Sequence, residues 1–165
     1  MALLETYLTF NGNCAEAMRF YERTLNGKME MMITFAQAPD AAQYPPEVAQ
    51  QIMHSRLIVD GRAIMASDTM PGYPHQGMHG FSLSLGYNTA AEAKKTFDAL
   101  SAGGQVTMPM NETFWVETFG MLVDRFGTSW MVGSSMVAPC RTPGLDGPVE
   151  SRTLDRGVAN GAAPL

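Results

Sequence analysis

The side chains best suited to chemistry in this sequence are a histidine and a pair of carboxylates. His54 begins and Asp68 ends a segment that is predicted to fold as a β-hairpin, and Glu117 stands near the start of a second hairpin. A tight turn would bring His54 and Asp68 near the open ends of adjacent strands. Imidazole and carboxylate groups can contact a small molecule or hold a divalent metal ion. The alternative is structural, with His54 hydrogen-bonded to a backbone group or to Asp68, and Asp68 capping a loop.

Two hairpins of related sequence position these side chains. Residues 54–68 read HSRLIVDGRAIMASD and residues 114–134 read FWVETFGMLVDRFGTSWMVGS. Each hairpin has an apolar run, an aspartate, a glycine and a second apolar run that contains methionine. Glycine accepts the positive φ angle of such turns at little cost. The pattern predicts a pair of antiparallel strands in each half of the chain.

A predicted amphipathic helix precedes each hairpin. The apolar stripes are Cys14, Met18, Tyr21 and Leu25 in the first helix and Ala93, Phe97 and Leu100 in the second. Asn13 and Thr89 are the predicted N-caps. Gly27 and Gly103 are the predicted ends. Because the caps and the end glycines have the same separation, we infer that one βαβββ unit is duplicated.

The element order predicts an α+β fold built from two tandem βαβββ modules. The first module is expected at 1–68, a connector at 69–80 and the second module at 81–137. Strands outside the hairpins are expected at Leu3–Phe10, Lys28–Phe35, Phe81–Leu85 and Gln105–Met110. Residues 138–165 are rich in proline and glycine with little apolar periodicity, which predicts a mobile tail.

Composition excludes several classes of function. Apolar residues make up 45% of the chain and charged residues 16%, a mixture that can bury a core. The net charge of −5 and the lack of a basic block disfavour nucleic-acid binding. No apolar run is long enough to span a membrane, and no signal peptide is expected. Cys14 and Cys140 lack metal-like spacing, so a reduced, cytoplasmic setting is the simplest prediction.

Several sequence segments together resemble the PhnB-like branch of the vicinal oxygen chelate superfamily, which includes glyoxalase I, bleomycin-resistance proteins and extradiol dioxygenases. The segments are YLTFNGNCAEAMRFYERTLNG, HSRLIVDGRAIMASD and FGMLVDRFGTSWMV, and the resemblance covers about residues 3–134. It implies that the modules form an open, cup-shaped mixed sheet with the helices outside, and that the chain is a homodimer. Proteins of this branch are often labelled ubiquinone-pathway methyltransferases. We do not expect that activity, because no glycine-rich loop follows a predicted strand to bind a methyl donor.

The resemblance also implies where a metal ion would be bound in the cup. The family's ligand positions fall on Met65 and Met131 in the last strands, and near Thr6 and Phe81 in the first strands. None of these is a histidine or a carboxylate, and a soft, neutral thioether does not hold Mg²⁺, Mn²⁺ or Fe²⁺. We therefore expect neither a metal ion nor a cofactor.

Methionines and tryptophans provide the remaining candidates for ligand contact. Met65 and Met131 would line a soft apolar cup, or else pack in the core. Trp130 is adjacent to Met131 and should point to the opposite face of the strand, against a helix. Trp115 is expected at the rim of the cup, where its ring could stack on a ligand.

The function most consistent with these residues is binding of an apolar or aromatic small molecule in a Met-lined cup, without the usual metal site. The predicted ligand-binding residues are His54, Met65, Asp68, Trp115, Glu117 and Met131. The alternative is a metal-dependent lyase, isomerase or dioxygenase with a relocated site at His54, Asp68 and Glu117. An accessory protein that binds another protein through its sheet edges or tail is a further hypothesis. The sequence identifies no catalytic residue.

Overall fold

The computed structural model of the protein describes residues 4–70, 72–114 and 116–134. The predictions for Trp115, Cys140 and the tail at 138–165 lie outside these residues. The elements of the first module are β1 Thr6–Phe10, α1 Cys14–Thr24, β2 Lys28–Thr34, β3 Ile52–Val59 and β4 Arg62–Asp68. Short 3₁₀ turns fill the connection between β2 and β3, at Phe35–Gln37, Ala41–Gln43 and Pro46–Val48.

The second module repeats the element order of the first. Its elements are β5 Leu83–Gly86, α2 Ala90–Ser101, β6 Gln105–Asn111, β7 Phe119–Val123 and β8 Ser129–Gly133. The strands form two four-stranded sheets, with the orders β1-β4-β3-β2 and β5-β8-β7-β6. The β1–β4 and β5–β8 pairs are parallel and the other pairs are antiparallel. This arrangement confirms the predicted α+β fold of two βαβββ modules with open, mixed sheets.

Each sheet buries one face against the helices, and no helix among the described residues covers the other face. In β8 the side chains of Trp130 and Val132 are buried, and Met131 lies between them on the opposite face. Trp130 packs edge-on against Tyr21 of α1, with the ring centroids 5.3 Å apart, as strand alternation predicted. The uncovered side of each sheet is named its open face below.

The first helix has the predicted apolar stripe and begins after Asn13 as predicted, but the interactions at its ends differ from the prediction. The Asn13 side chain makes no capping hydrogen bond to any described residue, and the Asp68 carboxylate accepts the backbone N–H of Cys14 at 3.0 Å. After the helix, the left-handed conformation is adopted by Asn26, with φ of 51°, and not by Gly27. Gly27 is required for close approach instead, because a Cβ there would lie 2.9 Å from a backbone carbonyl oxygen of β3.

The second helix has the predicted ends. The Thr89 hydroxyl accepts the backbone N–H of Glu92 at 3.2 Å, which is the predicted N-cap interaction. Gly103 follows the helix with φ of 77°, a backbone conformation that residues with a Cβ rarely adopt. This helix has 12 residues, and no helix in the described part of the chain is long and apolar enough to cross a membrane.

A buried carboxylate at the turn between β7 and β8 joins the modules. Asp124 is 3% exposed, and one of its oxygens accepts the backbone N–H groups of Phe126 and Thr128. The other oxygen accepts the Tyr21 hydroxyl at 2.6 Å and the Trp130 indole N–H at 2.8 Å. A buried carboxylate is tolerated only when such donors replace its water. Because Tyr21 belongs to α1, these bonds tie the first module to the second.

Tyr21→Phe should destabilise the fold, because it removes a donor from the buried carboxylate of Asp124. Burial, and then the negative charge of Asp124, raise the pKa of Tyr21 well above its ordinary range, so its hydroxyl remains a donor. A hydrogen bond to a charged group is worth about 1.5–3 kcal/mol, and we expect a loss of that size in urea unfolding.

Tyr44→Phe is the matched control for this measurement. The Tyr44 hydroxyl donates to Asp40 at 3.2 Å, but this pair lies at the exposed surface. Its loss should change the free energy of unfolding by less than about 0.5 kcal/mol. If the two substitutions lowered the free energy of unfolding equally, the buried hydrogen bond between Tyr21 and Asp124 would not be a main source of stability.

Candidate functional site

The open face of the first sheet carries a row of side chains in register across its strands. Tyr7 of β1 is paired with Met65 of β4. Arg56 of β3 is paired with Met65 on one side and with Met31 of β2 on the other. Paired residues of neighbouring strands point to the same face. The row lies opposite the helix, because Leu57, the neighbour of Arg56 in the chain, is fully buried in the core.

Arg56 is held by two carboxylates and lies against Met65. Its Nη1 and Nη2 donate to the two oxygens of Glu5 at 3.0 and 2.8 Å, and its Nε donates to Glu30 at 3.1 Å. Nη1 also lies 3.6 Å from the sulfur of Met65. The hydrogen bonds from Arg56 lower the pKa of Glu5 below its ordinary value, so this carboxylate stays charged. Arg56 is therefore engaged within the protein and is not a free receptor for anions.

His54 lies beside Tyr7 on the same open face. The Tyr7 hydroxyl and Nδ1 of His54 are 3.3 Å apart, and the rings are stacked with their centroids 5.8 Å apart. Within the described part of the chain, His54 is therefore hydrogen-bonded to Tyr7, and not to Asp68 or to a backbone group as the structural alternative had supposed. Tyr7 is 48% exposed, so part of its ring surface is accessible to a ligand.

A cavity of about 280 Å³ opens at the outer edge of β1, next to these side chains. It is bounded by residues 7–9 of the strand, by connector residues 74–78 and by Phe81. Nε2 of His75 lies 3.1 Å from the carbonyl oxygen of Thr9 and so ties the connector to the strand. Tyr7 and Phe81 are both close to half exposed and give the cavity an aromatic rim. Its volume is near the lower end for small-ligand sites, roughly 300 Å³.

The polar residues chosen from the sequence are not brought together. Asp68 is 2% exposed, and its two oxygens accept the backbone N–H groups of Cys14 and Ile52 at 3.0 and 2.8 Å. Its carboxylate therefore joins the start of α1 to the start of β3 on the helix side of the sheet. Glu117 is exposed in the loop before β7. Among the described residues, no group of three or more histidine, cysteine, aspartate and glutamate side chains could hold a metal ion.

The corresponding row on the second sheet is built mainly from thioethers. Met131 of β8 is paired with Met121 of β7, which is paired with Met108 of β6. On its other side Met131 is paired with Ser84 of β5. The first-strand residue beside Met131 is thus Ser84 and not Phe81, which precedes the strand.

Reasoning from the sequence did not select Glu5, Tyr7 and Arg56, whose contacts lie on the open face of the first sheet. Glu5 and Tyr7 alternate with the buried Leu8 and Phe10, and this alternation was the signal that they share the outer face of a strand. The sequence gives no comparable signal for the contact between Glu5 and Arg56. That contact depends on the strand order β1-β4-β3, which places the two residues on either side of β4.

Comparisons with known proteins agree with this architecture. Protein YjdN from Escherichia coli is 36% identical over 137 residues, which cover 78% of this chain and 92% of YjdN. The crystal structure of PA1353 from Pseudomonas aeruginosa is 44% identical, with a TM-score of 0.76 over 82% of this chain and 98% of PA1353. A Bacillus cereus structure described as a putative 3-demethylubiquinone-9 3-methyltransferase, PhnB protein, has a TM-score of 0.70 at 22% identity, over 81% of this chain and 100% of that protein.

The fold is that of the vicinal oxygen chelate superfamily. A glyoxylase/bleomycin resistance protein/dioxygenase domain from Frankia has a TM-score of 0.60 at 13% identity, over 84% of this chain and 95% of that domain, which shows the shared fold. The chain belongs to the PhnB-like family described as 3-demethylubiquinone-9 3-methyltransferase, whose model matches residues 3–133.

Asp68→Ala should destabilise the protein, because it leaves the buried N–H groups of Cys14 and Ile52 without an acceptor. An unsatisfied buried donor costs about 1–3 kcal/mol, so we expect a loss of roughly 2–5 kcal/mol in urea unfolding. Asp98→Ala is the matched control, because Asp98 pairs with Lys94 at 2.7 Å on the exposed side of α2. That change should cost less than about 1 kcal/mol. Equal costs would contradict the structural role given to the Asp68 carboxylate.

Proposed function

We propose that the protein binds an apolar or aromatic small molecule at the open faces of its sheets, beside Tyr7 and His54 of the first sheet, without a resident metal ion. The observation that carries this proposal is the half-exposed ring of Tyr7, which stacks on His54 and forms part of the cavity rim. A ring presented to solvent beside a cavity favours stacking with a flat ligand. His54 would then contribute a polar group that orients the ligand.

Thioethers are proposed as the soft floor of the site. Met65 and Met131 each lie in the open-face row of their own sheet. Methionine is flexible and polarisable, which suits contact with flat rings of several shapes. The proposal keeps the ligand contacts predicted for Glu117, which is exposed, and for Trp115, which lies outside the described residues. It leaves out Asp68, because both oxygens of that carboxylate are bonded within the fold.

The side chains around the expected ligand position on the first sheet do not suit a divalent metal ion. The guanidinium of Arg56 lies 3.6 Å from the sulfur of Met65, at a position where the superfamily resemblance places a metal ligand. A thioether is too soft a donor for Mg²⁺ or Mn²⁺, and the nearby carboxylates of Glu5 and Glu30 are already engaged by Arg56. These contacts support binding without a metal ion over the metal-dependent alternative.

Methyl transfer is the activity named in the family's description. The connections between strand and helix lack the glycine-rich turn that would bind a methyl donor. The connections from strand to helix are residues 11–13 and 87–89, which contain a single glycine between them. Nucleotide-like cofactors usually need a glycine-rich turn there, so that backbone N–H groups can approach the ligand. We therefore propose ligand binding and not methyl transfer.

Flat aromatic compounds should raise the melting temperature, because a ligand that binds only the native state stabilises it by mass action. At about 100 times the dissociation constant the gain is roughly 2.7 kcal/mol, or several degrees for a chain of this size. Tyr7→Ala should remove most of this shift in differential scanning calorimetry with naphthalene- and quinoline-type compounds. Tyr73→Ala is the matched control, because Tyr73 is 70% exposed and does not line the cavity. It should leave the shift unchanged.

Divalent metal ions provide the contrary outcome of the same assay. Added manganese, nickel, zinc and iron ions should each leave the melting temperature unchanged. Protein treated with a chelator should melt at the same temperature as untreated protein. A reproducible shift with Ni²⁺ or Mn²⁺ that His54→Ala abolishes would overturn the proposal. The metal-dependent enzyme would then be the better assignment.

We also propose that the chain forms a homodimer. Val106 and Met108 of β6 are 43% and 44% exposed, and Phe114 in the following loop is 85% exposed. Exposed apolar surface of this kind often marks contact between proteins. Sedimentation equilibrium at roughly tens of micromolar should therefore give about twice the chain mass of 17.9 kDa. A species at the chain mass alone would rule the dimer out.

A further inference from the structure

We propose that the open face of the first sheet selects organic cations over organic anions, and that Glu5, Arg56 and Glu30 set this preference. The inference rests on the small-molecule binding proposed above, and it adds the charge class of the ligand. It follows from the way these residues are paired and from their position beside the ring of Tyr7.

The ion cluster formed by Glu5, Arg56 and Glu30 carries a net charge of −1, since one guanidinium faces two carboxylates. Nη1 and Nη2 are engaged with Glu5, and Nε is engaged with Glu30. The donor fork that normally recognises a carboxylate or sulfonate is therefore already occupied. An incoming anion would have to displace one of the carboxylates and would meet the repulsion of the other.

The ion cluster lies on the same face as the aromatic surface that a ligand would contact. Glu5 precedes β1 and reaches Arg56 on the open face, so its carboxylate lies on the same side of the sheet as the ring of Tyr7. The side chains of Glu5 and Glu30 are 24% and 49% exposed, so their charges act on a bound molecule through a partly desolvated environment. An ammonium group here would be attracted both by the face of the ring and by the carboxylates.

Among the described residues, the other charged side chain whose register places it on this face is Lys28, which is paired with Ile58 near the hairpin end of the sheet. Lys28 and Glu30 both belong to the outer strand β2. Glu30 reaches across to Nε of Arg56 at 3.1 Å, whereas Lys28 forms no ion pair with the cluster in the described part of the chain. Lys28 therefore lies outside the ion cluster, whose own net charge is −1.

Three probes of similar size and different charge test the inference: benzyltrimethylammonium, benzyl alcohol and benzylsulfonate. NMR titrations that follow the Tyr7 and His54 rings give their dissociation constants at low ionic strength. We expect the cation to bind at least about threefold more tightly than the sulfonate, and high salt to reduce this ratio. Glu30→Gln should remove most of the preference and leave the affinity for benzyl alcohol unchanged.

Glu16→Gln is the matched control for Glu30→Gln. Glu16 of α1 also pairs with an arginine, Arg125, at 3.2 Å, but on the helix side of the molecule. Equal or tighter binding of the sulfonate, or an equal loss of preference in the two variants, would overturn the charge selection alone. Failure of all the probes to bind would overturn the proposed small-molecule binding, and the charge selection with it.

Discussion

The interior of the protein depends on the carboxylate of Asp124, because the two modules meet there. Tyr21 from the first module and Trp130 from the second donate to the same oxygen, at 2.6 and 2.8 Å. Taking a charge out of water is costly, and only a full set of donors offsets the cost. The network therefore forms only when α1 and the β7–β8 turn have their native relative positions. It also lies within a continuous core, to which buried side chains of both modules contribute.

Most of the element order could be predicted, because strand alternation and helical spacing are patterns of short range. The role of Asp68 could not, since its partners are backbone N–H groups 54 and 16 residues away. Every residue except proline carries such a group, so the sequence gives no sign of the pairing. Asn13 is the N-cap of α1 as predicted, but its side chain makes no capping bond to a described residue, and Asp68 accepts the first N–H of the helix, that of Cys14. Thr89 needs no distant partner for its cap, and there the prediction was right.

The open faces could be predicted only in part, and they show how the two modules differ. Positions that face the helices must fill a shared core, whereas positions on the open faces are free of that constraint. Strand alternation placed Met131 on the open face, because its neighbour Trp130 is buried on the helix side of the sheet. The contact between Glu5 and Arg56 links residues 51 apart and requires the observed strand order. On the same backbone pattern, the position next to the last-strand methionine is therefore Arg56 in the first sheet and Met121 in the second.

Stability alone does not account for the ion cluster of Glu5, Arg56 and Glu30. Ion pairs with this degree of exposure, 31% for the arginine side chain, contribute little to the free energy of unfolding. The second sheet places methionines in the corresponding row, so the fold does not require charge there. What the cluster does provide is a fixed guanidinium, held on each of its nitrogens and resting against the sulfur of Met65. Groups fixed before a ligand arrives lose little conformational entropy on binding, so their charges can discriminate between ligands at small cost.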